Sequence, residues 1–91
     1  MFMQHRVLRK GMGPNQMAGS IENVFRLTNV ALVGRNGHWR LGQSGSALIL
    51  VQVLGISDRE CFVLTVAASP DQNPAAIADA VNTKIRGTQG L

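Results

Sequence analysis

The feature that most constrains this chain is a pair of extended segments that are apolar on both faces. Residues 46–54 and 60–68 read as two strands joined through Gly55-Ile56-Ser57-Asp58-Arg59. Successive side chains of a strand point to opposite sides of the pleat. In the first strand Ala47, Ile49, Val51 and Val53 line one side, and Leu48, Leu50 and Leu54 the other. In the second, Cys61, Val63 and Thr65 oppose Phe62, Leu64 and Val66. A hairpin of this kind has no face to give to water, so the fold must cover it twice.

One cover is legible. Residues 74–86 carry Pro74, Ile77, Ala78, Val81 and Ile85 at helical spacing. Asn73 is a good N-cap, and Pro74 suits the first helical position. Lys84 and Arg86 fall in the last turn, where the helix dipole favours cations, and Gly87 is a stop. A single helix covers one side of a sheet. The other side must close into a barrel, meet a second sheet, or meet another copy of the chain. At 91 residues the chain is one small domain with a modest core. Cys61 is its single cysteine, which excludes an internal disulfide and a cysteine-rich zinc site. Association is the remaining support for so small a core, and a homodimer is the expected state.

The remaining elements are read locally. Asn36-Gly37 is a preferred pair for a two-residue hairpin turn, and predicts strands within residues 30–43. With those two residues at the turn, Arg35 faces His38, Val33 faces Arg40, Leu32 faces Leu41 and Gly34 faces Trp39. One face then shows Val30, Leu32, Trp39 and Leu41, a core face. The other shows Ala31, Val33, Arg35, His38 and Arg40, a small cationic surface. Residues 21–27 fit a helix capped by Ser20 or a strand, and their β-branched and aromatic content favours the strand. Residues 1–19 contain Gly11, Gly13, Pro14 and Gly19, breakers that predict a flexible basic N-terminal arm, with Val7 and Leu8 as a brief edge strand. Residues 20–91 then make the domain. The expected fold is α+β, an antiparallel meander of about four or five strands with one C-terminal helix on one face.

The strand-then-terminal-helix pattern over Arg59–Arg86 resembles the end of pleckstrin-homology-like modules. That resemblance covers about a third of the chain, and implies a small barrel plus helix as the alternative fold.

Charge divides the chain. Residues 1–40 hold Arg6, Arg9, Lys10, Arg26, Arg35 and Arg40 against Glu22, whereas residues 41–91 hold Arg59, Lys84 and Arg86 against Asp58, Glu60, Asp71 and Asp79. Arg26, Arg35, His38, Arg40, Arg6, Arg9 and Lys10 are therefore the candidate contacts for a nucleic acid or another polyanion. The competing reading of these cations is solubility and protection of strand edges. With Tyr absent and aromatics at 4%, a base-stacking platform is not expected.

No catalytic or metal-binding constellation emerges. His5 and His38 lack the spacing of a metal pair. Gly42-Gln43-Ser44-Gly45-Ser46 lacks the second glycine of a nucleophile elbow, and reads as a loop. Gly11-Met12-Gly13-Pro14 lacks the ending of a phosphate loop. Cys61 has no activating base beside it in sequence and reads as a buried thiol. Ser44, Ser46, Gln52 and Thr65 are the polar residues placed to face a small-ligand pocket, at the sheet–helix junction or the dimer seam. No cofactor is implied. The longest apolar run, Ala47–Ile56, is broken by Gln52 and too short to span a bilayer, and no signal-type segment is seen, so a soluble cytoplasmic protein is expected. The reading that fits best is a small non-enzymatic, self-associating interaction module.

Overall fold

In a computed structural model the chain is described over residues 2–71 and 73–87, with the side chains of residues 2–5 and 9 set aside. The element order is β1 (Phe2–Lys10), α1 (Pro14–Leu27), β2 (Ala31–Asn36), β3 (Trp39–Ser44), β4 (Ala47–Ser57), β5 (Glu60–Ala68) and α2 (Ala75–Gly87). The strands form one antiparallel sheet in the order β1-β5-β4-β3-β2. The fold is α+β, a meander of four strands with an N-terminal strand added beside the last. β1 and β2 are its two edges, so the sheet is open and the pleckstrin-homology-like barrel is not formed.

The two-sided hairpin is the centre of this sheet, as its composition requires. β4 pairs with β5 from Leu48↔Ala68 to Ser57↔Glu60, with a bulge between Gly55 and Ser57. Both helices pack against the same face. Ile49, Val51, Val53, Cys61, Val63 and Ala67 lie buried there with Val7 of β1, under Met17, Ile21, Val24 and Phe25 of α1 and Ala78, Val81 and Ile85 of α2. A polar pairing in this layer links Thr65 and Asn82. The Asn82 amide also donates to the Ala78 carbonyl at 3.1 Å, so its buried amide is satisfied.

The N-terminal third departs from the sequence expectation. Residues 2–10 were expected as part of an arm outside the domain, and instead form β1, paired along its length with β5 from Phe2↔Ala68 to Lys10↔Glu60. Pairing with a distant strand satisfies their backbone groups, and the brief edge strand expected at Val7 and Leu8 is part of this longer one. Residues 14–27 form a second helix where a strand was favoured over 21–27. Pro14 sits at its start, and Met17 N–H donates to the Gly13 carbonyl at 3.0 Å. The Ser20 hydroxyl donates to the Gln16 carbonyl within the helix rather than capping it. The helix ends in a Schellman motif. Val30 N–H bonds the Phe25 carbonyl at 2.8 Å, Asn29 N–H reaches Arg26, and Asn29 takes the left-handed conformation at φ 60°.

The β2–β3 turn also shifts by one residue. Gly37 and His38 are central, with Asn36↔Trp39 and Arg35↔Arg40 as cross-strand partners. Gly37 has φ 55° and is the central residue with positive φ, the sign pattern of a type II′ turn. A bulge between Leu32 and Gly34 absorbs the offset and leaves Leu32 opposite Gly42. The bulge thus puts Leu32, together with Val30, on the side of Arg35 and Arg40, and that side, expected to be the exposed cationic one, meets the helices. Arg35 and Arg40 lie on the helix-covered side, and Trp39 and Leu41 lie on the other. Gly42 shows why: a Cβ there would run into Val30 Cγ1 and come within 2.8 Å of Phe25 Cε2, so α1 closes directly on the β3 backbone.

The uncovered sheet face

No described element covers the second face of the sheet. The register sorts its side chains into five levels. Gln43, Leu48 and Ala68 share the first level, and Leu41, Leu50 and Val66 the second. Trp39, Gln52, Leu64 and Arg6 form the third, running across four strands. Leu54, Phe62 and Leu8 form the fourth, and Ser57, Glu60 and Lys10 the last. The large apolar residues are open to solvent: Leu8 at 45%, Leu48 and Leu54 at 47%, and Phe62 at 43%. Two shallow hollows indent the face. One, of about 230 Å³, lies among Arg6, Leu54, Phe62 and Leu64, and the other, of about 330 Å³, among Trp39, Leu41, Leu50 and Gln52. The charges on these levels are Arg6, Lys10 and Glu60, all towards the β1 side.

The size of this face matters. Four strands at ~4.8 Å spacing and five levels over ~26 Å enclose roughly 500 Å² in projection. That is near the upper end of the largest apolar patch on a typical monomer, about 300–600 Å². One partner contributes ~800 Å² to an interface of standard size, so two such faces together make one of the small class.

The cations singled out in the sequence do not converge on one surface. Arg35 and Arg40 meet Glu22 of α1, at 3.1 Å from Arg35 Nη1 and 2.8 Å from Arg40 Nε. Arg40 is 11% exposed and donates further to the Gly37 and Trp39 carbonyls, both at 2.8 Å, which makes it a brace for the β2–β3 turn. The hydrogen bond from Arg35 is the largest of the effects that hold the Glu22 carboxyl below the usual carboxylate range. Partial burial opposes it, and Arg40 adds to it. Arg26 lies at the end of α1 and donates to the Asn23 side chain. His38 Nε2 and Asn15 Oδ1 are 2.6 Å apart, tying the turn to the start of α1. Arg6 and Lys10 are on the uncovered face, far from Arg26 across the sheet. Arg9 lies in β1, with its side chain outside the described residues.

The polar residues considered for a small-ligand pocket are also dispersed. Thr65 is in the core against Asn82, and Gln52 is on the uncovered face. Ser46 is in the two-residue β3–β4 turn, where its hydroxyl meets Ser69 Oγ at 3.1 Å and the Asp71 carboxylate. That contact fastens the turn to the segment entering α2. Ser44 ends β3. Among the described residues no three metal-ligating side chains cluster, and no helix is long and apolar enough to cross a membrane.

Sequence reasoning found the apolar residues of this face through the two-sided pattern. It did not find that Arg6 and Trp39 share a level with Gln52 and Leu64, because that level is assembled from β1, β5, β4 and β3. Compared with known proteins, the chain matches no family model, and no curated protein shows significant similarity to it.

Proposed function

We propose that this protein is a non-enzymatic, self-associating interaction module, and that the uncovered sheet face joins two copies. The observation that carries this reading is the face itself: Leu8, Leu48, Leu50, Leu54 and Phe62 exposed side by side, with charge confined to one margin. Its area suits a small interface, and a second copy brings a surface of equal size and apolar character. The polyanion reading has less support, since Glu22 engages two of its central cations and the others point elsewhere.

Light scattering behind size exclusion tests the proposal at micromolar concentration, in low and high salt. A dimer that persists in high salt is expected, because its contact is apolar rather than ionic. Leu50→Lys places a charge in the middle of the face without touching the helix-packed core. It should give a monomer with an unchanged far-ultraviolet circular dichroism spectrum. A wild-type chain that stays monomeric throughout refutes the proposal.

A further inference from the structure

The middle level of the uncovered face has a composition unlike its neighbours. The described side chains of the adjoining levels, Leu41, Leu50 and Val66 on one side and Leu54, Phe62 and Leu8 on the other, are apolar, with Gln4 at the β1 register position beside Val66. Between them Trp39, Gln52, Leu64 and Arg6 run from β3 to β1, with a cation at one end and an indole at the other. A face-to-face contact buries this level at its centre. The Arg6 guanidinium and the Gln52 amide then need partners, or their desolvation opposes association.

Two identical sheets packed face to face are related by a two-fold axis lying in the plane between them. In aligned packing through the middle of the patch, the axis runs either across the strands or along them. An axis across the strands lays each strand on its own copy and the middle level on itself. Arg6 then meets Arg6, two like charges brought together at the β1 margin. An axis along the strands, midway between β5 and β4, lays β1 over the copy's β3 and β5 over the copy's β4. Every level then meets the same level reversed. Val66 faces Leu50, Phe62 faces Leu54, and the small Ala68 faces the larger Leu48. On the middle level Arg6 faces Trp39 and Leu64 faces Gln52.

Resting on the self-association reading, we propose that the dimer forms about this second axis, with Arg6 of each copy stacked on Trp39 of the other. The guanidinium lies against the indole ring, a favourable cation–π arrangement, and beside the Gln52 amide oxygen, which accepts from it. The Gln52 amide oxygen and the Arg6 guanidinium thereby each gain a partner, twice in each dimer. The hollow among Trp39, Leu41, Leu50 and Gln52 is the space that receives the Arg6 side chain.

The test has two parts on the intact chain. Leu48→Cys puts a thiol at the first level, and Cys61 is fully buried on the helix side. With the axis along the strands, the two introduced thiols lie on the order of 10 Å apart, and a short bismaleimide should join them. With the axis across, they are separated by about 25 Å along the strands, and Leu48→Cys should instead cross-link to Ser57→Cys when the two variants are mixed. The second part compares dimer dissociation constants for Arg6→Met, Trp39→Leu and the double variant, read from the fluorescence of Trp39 where it is present and by sedimentation in all. Loss of the stack should weaken each single variant by roughly 2- to 30-fold. The double variant should be no weaker than the product less the shared contact, so a coupling of the same size is expected. Leu48→Cys joining to itself, together with that coupling, supports the proposal. A dimer that cross-links only between positions 48 and 57, or one whose variants are strictly additive, overturns the arrangement while leaving self-association standing. A monomer overturns both.

Discussion

At the residue scale, two side chains were revalued by their surroundings. Gly42 reads in sequence as part of a loop before Ser44, yet it is the point where Phe25 and Val30 close on β3. Gly42→Ala should destabilise the domain by about 1–3 kcal/mol through overpacking, measured by urea denaturation. Glu22 reads as the lone acid in a basic stretch and proves to be the anchor for Arg35 and Arg40. Its folded pKa is lowered, so its contribution to stability is complete above the ordinary carboxylate pKa and is lost as pH falls through the lowered value. Glu22→Gln should therefore cost about 0.5–1 kcal/mol near neutrality, because the amide still accepts a hydrogen bond but no longer offers a charge to the exposed Arg35 and the largely buried Arg40. The gap between wild type and variant should close in unfolding curves taken from about pH 7 down to about pH 3. A gap that is constant across that range shows that the ion pair contributes nothing.

At the element scale, α1 is the informative case. Gly13 and Gly19 were read as breakers, and β-branched residues over 21–27 as strand formers. The helix forms because its apolar stripe, Met17, Ile21, Val24 and Phe25, finds the sheet. Packing of that face outweighs the weak propensities. The signals for it were present but scattered: Pro14 after Gly13 at the start, and Asn29 followed by Val30 at the end, where Val30 can reach back to Phe25. Gly19 is exposed in the middle of the helix, and an added Cβ meets nothing there. Gly19→Ala should stabilise the fold by about 0.5–1 kcal/mol, visible as a higher thermal midpoint. Gly13 is different, because a Cβ there would collide with the Asp58 carbonyl oxygen in the β4–β5 turn. The same close approach is held by Gly11 N–H donating to the Arg59 carbonyl at 2.7 Å. The C-terminal helix was legible throughout, since its cap and stripe are local: Ala75 N–H donates to Asn73 Oδ1 at 3.0 Å, and Ala78, Val81 and Ile85 are buried.

At the scale of the whole molecule, both helices share one side of the sheet, and the consequence is a protein with an apolar side left over. The self-association proposed for that side would tie folding stability to concentration. The thermal midpoint of the wild-type chain should rise as its concentration is raised, while that of Leu50→Lys should not move. Differential scanning fluorimetry over a hundredfold range of concentration makes the comparison, and a midpoint independent of concentration in both proteins contradicts the dimer. The cations of the first forty residues show the same dependence on tertiary placement. In sequence they form one basic stretch; in the fold they are divided among α1, the β2–β3 turn and β1.

Periodicity and turn chemistry act between near neighbours along the chain, and what depends on them could be read directly. The central hairpin, its apolar composition on both sides, the terminal helix and the approximate place of the first hairpin all follow from spacing in the sequence. Register, sidedness and edge pairing depend on contacts between residues far apart in the chain. Only the tertiary structure placed β1 beside β5, turned Arg40 inwards to Glu22, and aligned Arg6 with Gln52 and Trp39. The bulge between Leu32 and Gly34 put Leu32 on the side of Arg35 and Arg40, and the packing of Phe25 and Val30 on Gly42 made that side the covered one; local alternation contains neither.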